Sequence, residues 1–216
     1  MIYIGWNVRL KNYIKNNMDI EQILINIPDK QFRWKSTTSK LFKKHLYNFL
    51  NDKSIDNCLE IGTNQGLTSL ILSYISNKVY TVEISNHNIE EAKKHCAMRN
   101  NIEFIIGNAY HDTTYIGCPQ YFDAVVIDCL HDYDHVIQDI NRALSYTDPD
   151  KGIYIIFDDY SHPEFYGVRS AIDDAIQSGL KIESYIGEQA GHVVNTSDTH
   201  SFTLIGSEGV ILSYGK

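Results

Sequence analysis

The sequence predicts an α/β fold: a doubly wound, mostly parallel sheet of about seven strands, with an antiparallel edge strand and an N-terminal helical appendage. Three observations carry this. First, residues 56–83 read as strand, glycine turn, helix, strand. Cys58, Leu59 and Ile61 suit a buried strand that runs into Gly62, and Gly62 and Gly66 bracket a tight turn. Leu67, Leu70, Ile71 and Tyr74 then recur at helical spacing, and 79–82 is a β-branched and aromatic strand ending in Glu83. Parallel neighbours need such a crossover. Second, strands and helices keep alternating to about residue 178, the pattern of a sheet with helices on both faces. Third, the strands end in polar residues: Glu60 to Gly62, Glu83, Asn108, Asp128 and Asp158–Asp159. In a doubly wound sheet, ligands sit at that carboxyl edge.

Taken in order, 18–27 has Ile20, Ile23, Leu24 and Ile27 at helical spacing before Pro28. Ser36 or Thr37 suits the cap of a second helix, whose apolar face is Leu41, Phe42, His45, Leu46, Phe49 and Leu50, with Lys40, Lys43 and Lys44 on a solvated face. These segments make up the appendage, 1–52, and the core is 53–216. After Glu83 a helix is expected over 86–100, with Ile89, Ala92, Cys96 and Met98 inward. A strand follows at 102–106 and an apolar strand at 122–127. Val136, Ile137, Ile140 and Leu144 mark a helix before Pro149. A strand at 152–157 and a helix at 168–178, closed by Gly179, complete the alternation. Strands at 181–186 and 201–205 have no helix between them and are expected to pair antiparallel at the edge, with a further strand at 210–214. The polar stretch 187–199 reads as a loop near the active edge.

Composition narrows the function. The 216 residues are 43% hydrophobic and 21% charged, enough for one domain with a sizeable core. A net charge of −8 argues against a broad phosphate-binding surface, so nucleic acid is not the expected partner; only 30–53 is basic enough to be a candidate. The four cysteines form no C-x-x-C pair, which points to reduced thiols and a cytoplasmic location. Arg9 and Lys11 interrupt the apolar start, so no signal peptide is expected, and no apolar run is long enough to span a membrane.

The turn carries the first motif, Glu60-x-Gly62-x-x-x-Gly66. Dinucleotide enzymes want G-x-G-x-x-G so that a pyrophosphate can rest on the turn, and here position 64 is Asn. The motif resembles motif I of the class I S-adenosylmethionine (SAM)-dependent methyltransferases, which share a Rossmann-like fold. That resemblance implies that Glu60, Gly62, Thr63 and Gly66 lie under the methionine part of SAM. It implies that Glu83 accepts hydrogen bonds from the ribose hydroxyls, a task suited to an acceptor-only carboxylate. It also places Asn108 and Ala109 at the adenine and Asp128 beside the cofactor. An acid is usual where Asn108 stands; Asn can still accept through its carbonyl, and it equally suits a turn.

The second motif is Asp128-x-x-His131 together with Asp158-Asp159. It resembles the metal-dependent O-methyltransferases of the catechol type and, more closely, the macrocin-type sugar methyltransferases. The resemblance runs over about 56–176. It implies that Asp128, Asp158 and Asp159 bind one divalent cation and that His131 is the base. Physical chemistry agrees: three carboxylates at one edge repel unless a cation lies between them, and hard oxygen ligands favour Mg²⁺ or a similar ion. Imidazole exchanges a proton near neutral pH. Singly, Asp128 or Asp159 also suits a helix cap, and His131 a plain loop. Tyr133 and Tyr160 suit either an acceptor wall or packing, and His162 has no assigned role.

The expected function is therefore SAM-dependent methylation of a hydroxyl on a small molecule or sugar, assisted by a divalent cation, with Asp128 and His131 catalytic. A homo-oligomer is compatible with this. The rivals are an NAD-dependent oxidoreductase, opposed by Asn64 and by the lack of a Ser-Tyr-Lys set, a non-catalytic SAM-binding protein, and a nucleic-acid methyltransferase. Fold alone decides none of these.

Overall fold

The computed structural model describes residues 19–25, 27, 37–197 and 200–216. Helices α1 (Ile20–Ile25) and α2 (Lys40–Leu50) precede β1 (Asn57–Ile61), α3 (Leu67–Ile75), β2 (Lys78–Glu83), α4 (Asn86–His95) and β3 (Ile102–Ile106). A 3₁₀ turn, Asp112–Tyr115, leads to β4 (Ala124–Ile127), α5 (Tyr133–Ser145), β5 (Ile153–Phe157) and α6 (Tyr166–Gln177). The chain ends with β6 (Lys181–Ile186), β7 (Val193–Ser197), β8 (His200–Thr203) and β9 (Gly209–Tyr214).

Seven strands form one sheet in the order β3-β2-β1-β4-β5-β9-β6. The pairs among β1 to β5 are parallel, with Leu59 beside Tyr80 on one side and Val125 on the other. The order reverses between β1 and β4, which makes their carboxyl ends the switch point where such sheets bind ligands. Side-chain alternation feeds two cores. Leu59, Ile61, Val125, Ile127, Ile155 and Phe157 face α5 and α6. Cys58, Ala124, Val126 and Ile156 face the other way and pack with α1, α2 and α3.

The antiparallel strand is β9, which lies one place in from the edge and pairs with both β5 and β6. The expected pairing of 181–186 with 201–205 does not form. β6 pairs with β9 instead, and β7 and β8 make a separate two-stranded sheet, so part of the expected 187–199 loop is strand. The reason is burial: the slot between β5 and β6 has two covered faces, and Val210, Ile211 and Leu212 are fully buried in it. The polar sequence of β8 cannot fill such a slot.

Three further expectations change. The cap of α2 is Ser39, whose Oγ accepts from the Phe42 N–H at 3.0 Å, rather than Thr37; Ser36 lies outside the described residues. Lys43 is completely buried instead of solvated. Helix α4 stops at His95, and Met98 beyond it is 92% exposed. The described part of the first helix is shorter than 18–27.

Candidate functional site

The turn after β1 is fixed by the chain itself. The N–H groups of Gly62 and Thr63 both donate to the Val82 carbonyl at 3.1 Å. Gly62 has φ 101°, and a Cβ there would collide with the Asp128 carbonyl oxygen. Gly66 has φ 75°, and a Cβ there would sit 2.7 Å from the Ala92 Cβ on α4. Glycine is needed at both positions to let chain segments approach each other. Below the turn, Thr63 Oγ1 lies 2.5 Å from Thr81 Oγ1, which donates to Glu60 Oε2 at 2.5 Å; Ser69 Oγ donates to the same oxygen. Burial lifts the Glu60 carboxyl to about 7 against these hydroxyl bonds. Thr63 and Glu60 are thus buried beneath the turn. Glu83 closes it from above: Oε2 accepts the Asn64 N–H at 2.8 Å and Oε1 the Ser85 N–H at 2.9 Å. Each oxygen keeps a second lone pair.

A cavity of about 250 Å³ opens at the switch point, with Gly62, Val82, Glu83, Asn108, Ala109, Tyr110, Cys129 and His135 around it. Ile84, 70% exposed, and Leu130, 44% exposed, also line it. Two exposed apolar side chains at the mouth of a polar-ended cavity suit a ligand with flat faces. Sequence reasoning missed both, and missed Tyr110, because nothing local distinguishes them from loop residues. Asn108 serves the turn: its Oδ1 accepts the Tyr110 N–H at 2.9 Å, and its backbone carbonyl accepts from Thr114 Oγ1 at 2.6 Å. It still lines the cavity beside Ala109. Behind the wall, Tyr110 donates to Asp139 Oδ2 at 3.4 Å. Asp139 is 1% exposed, and burial raises its carboxyl to about 7.

Next to the cavity, Asp128, His131 and Asp159 each bring one donor atom to within 4.8 Å of the others. His131 Nε2 lies 3.0 Å from Asp159 Oδ2 and 3.7 Å from Asp128 Oδ1, close but not aligned as hydrogen bonds. Burial opposes the charge on the imidazole, yet the two carboxylates outweigh it and hold the ring's pKa at about 10. Asp159 sits in left-handed backbone, φ 57°, which turns its side chain relative to that of Asp158. Asp158 is not in the group of three. It is 8% exposed, its Oδ1 is buried without a hydrogen-bond partner among the described residues, and burial, then Asp159 and Asp128, push its pKa well up.

A second charge system backs this edge. The Lys43 ammonium donates to the Thr38 carbonyl at 2.6 Å and to Thr38 Oγ1. Burial lowers it to about 8, against the pull of Glu208, Asp158, Asp128 and Glu60. Glu208 in turn accepts from the Ser39 N–H at 2.7 Å, Ser39 Oγ at 2.5 Å and the Glu188 N–H at 2.9 Å, and so ties α2 to the segment before β9. Sequence reading missed both residues. The Tyr133 and Tyr160 hydroxyls donate to Asp174 at 2.8 Å and Asp173 at 3.0 Å; Tyr160 is buried, whereas Tyr133 is exposed.

These residues fit the two groups the sequence implied. Asp128 and Asp159 offer hard oxygen donors to one cation, with the orphaned Oδ1 of Asp158 nearby. The cavity beside them has an acceptor at Glu83 and apolar walls. Among the described residues no helix is long and apolar enough to cross a membrane.

Comparison with known proteins agrees with this fold. Residues 59–160 match the family described as methyltransferase domain. No curated protein sequence matches the chain. Among solved structures it is similar to an O-methyltransferase from Bacillus cereus in complex with SAH, at 19% identity and TM-score 0.65, over 95% of this chain and 96% of that one. It is also similar to the O-methyltransferase TomG from Streptomyces achromogenes in complex with SAM, at 20% identity and TM-score 0.61, over 91% and 90%. A third, from Klebsiella pneumoniae and described as a possible O-methyltransferase, aligns at 18% identity and TM-score 0.58, over 95% and 96%. Residues 59–160 are therefore similar to a methyltransferase domain, and the chain shares the fold of these O-methyltransferase structures.

Proposed function

We propose that this protein transfers the methyl group of SAM to a hydroxyl oxygen of a small molecule or sugar, with a divalent cation such as Mg²⁺ held at the acid edge. The observation that carries the reading is the convergence of Asp128, His131 and Asp159 beside the cavity lined by Gly62, Glu83, Asn108 and Ala109. SAM supplies an electrophilic methyl group when bound, and a divalent cation makes a hydroxyl proton easier to lose. The chain's own part is placement. Glu83 would hold the ribose, Ile84 and Leu130 would flank the adenine, with Asn108 and Ala109 at its edge, and the buried Glu60–Thr81–Thr63 chain braces the turn below. Asp128, Asp159 and Asp158 hold the cation. A cation there would occupy the two carboxylates that keep a proton on His131, and His131 Nε2 would be the group to take the acceptor's proton. Holding both reactants in line is a large contribution to any two-substrate transfer. A cytoplasmic setting belongs to this reading, supported by four free thiols.

The test is transfer of labelled methyl from SAM to a panel of catechols and sugars, with Mg²⁺ and with a chelator. The expected result is transfer to at least one hydroxylated acceptor that falls with Asp128→Asn and with chelation. Full transfer by Asp128→Asn and Asp159→Asn, with unchanged metal dependence, would overturn the metal part. Binding of nicotinamide nucleotides in preference to SAM would overturn the whole reading.

A further inference from the structure

Four rings from three separate segments stand in one column. The His131 imidazole stacks on Phe165, with centroids 4.3 Å apart and planes 12° apart. Phe165 stacks on His162 at 4.0 Å and 20°. His162 meets Phe202 at 3.9 Å and 50°. His131 follows β4, His162 and Phe165 lie in the loop between β5 and α6, and Phe202 belongs to β8. The middle of the column is laced in place. The His162 N–H donates to the Asp159 carbonyl at 3.1 Å, the Phe165 N–H to the His162 carbonyl at 3.2 Å, and the Glu164 N–H to His162 Nδ1 at 3.1 Å. His162 is buried, and Phe165 packs against the larger core cluster.

An imidazole on a loop has two free side-chain torsions, and the 3.0 Å ion pair of Nε2 with Asp159 Oδ2, which is not an aligned hydrogen bond, holds one corner of this ring without setting its plane. What limits its plane is the flat ring beside it, because near-parallel stacking at this separation leaves the imidazole only sliding motions. We infer that Phe165 is a positioning residue for His131, and that the column Phe202–His162–Phe165 ties the orientation of that imidazole to the β7–β8 hairpin. The hairpin lies outside the main sheet, between β6 and β9 in the chain. A ligand that moves the hairpin would therefore be felt at the base. The inference rests on the reading of His131 as the proton acceptor for its catalytic meaning; the orientation itself is tested separately.

The experiment is heteronuclear NMR of protein labelled in its histidine rings, at one fixed pH, with signals assigned by His131→Gln and His162→Gln. In the wild type the His131 ring protons should be displaced by the Phe165 ring current and show nuclear Overhauser contacts to it. Phe165→Leu and Phe165→Met, two variants so that one folding failure does not decide the matter, should average the His131 side-chain torsion couplings and weaken its Overhauser contacts to residues other than 165, changes that loss of the ring current alone does not produce, while Phe165→Tyr restores the wild-type couplings. A purely structural role would lower the melting temperature without this signature. Phe202→Leu should shift His162 and, by less, His131. His131 torsion couplings and contacts to residues other than 165 that stay as in the wild type in the Phe165 variants would overturn the inference, and no response to Phe202→Leu would overturn the hairpin's part. S-adenosylhomocysteine titrated into the same samples separates the two readings: no binding by the wild type sinks the methyltransferase reading and leaves the ring result to be judged by itself.

Discussion

Asp139 makes the stability of this protein depend on pH in a way one substitution should erase. The side chain is 1% exposed, its Oδ1 has no partner among the described residues, and its Oδ2 accepts only the 3.4 Å bond from Tyr110. Burial raises the carboxyl from 3.8 to about 7. In the unfolded chain it ionises in the ordinary carboxylate range. The sign follows from proton counting. Between about pH 4 and 7 the folded protein keeps a proton that the unfolded chain has lost, so the contribution to stability is fully present below pH 4 and disappears as pH rises through 7. At 1.36 kcal/mol for each pH unit, the loss across that window is about 4 kcal/mol. Asp139→Asn keeps the shape and an acceptor for Tyr110 but has no proton to lose. Urea unfolding of wild type and variant at intervals from pH 4 to 8 should give curves that cross. The wild type should lose about 4 kcal/mol more than the variant over the range, and the variant should be the more stable at pH 8. Parallel curves would refute the reasoning, because they would mean that Asp139 is ionised in the folded state.

Other consequences can be checked as directly. Gly62→Ala drives a Cβ into the Asp128 carbonyl at positive φ; a cost of about 3 kcal/mol, or a melting point lower by about 6–12 °C, is expected in calorimetry. Lys43→Met leaves Glu208 and Asp158 without their buried counter-charge; chemical denaturation should show a loss of about 3–5 kcal/mol. Glu83→Gln removes a charged acceptor at the cavity rim, and S-adenosylhomocysteine should bind about 10- to 100-fold more weakly by calorimetry. Asp128→Asn should abolish Mn²⁺ binding measured by the same method, and retention of wild-type affinity would remove Asp128 from the cation site.

Much of the architecture could be read from the chain because the signals are local. The stretch from Cys58 to Glu83 carries apolar runs, a glycine pair and helical spacing within one crossover, and parallel topology then brings Glu83, Asn108 and Asp128 to one edge. What stayed hidden depends on partners far away. Lys43 looks like any helical lysine; its burial depends on Thr38 and on Glu208, well over a hundred residues on. The place of β9 was illegible because 181–186, 201–205 and 210–214 all read as strands, and only the two-sided burial of Val210 to Leu212 decides which enters the sheet. The divergence of Asp158 and Asp159 turns on one backbone angle at Asp159 that no residue pattern encodes. The rings of the His131 column come from two loops and a strand far apart in the chain.

Titration of S-adenosylhomocysteine into the purified protein by calorimetry, with Mg²⁺ and then with a chelator, tests the central claim most directly. The account predicts saturable 1:1 binding in Mg²⁺ that weakens in the Glu83→Gln variant. No binding in either buffer would contradict it.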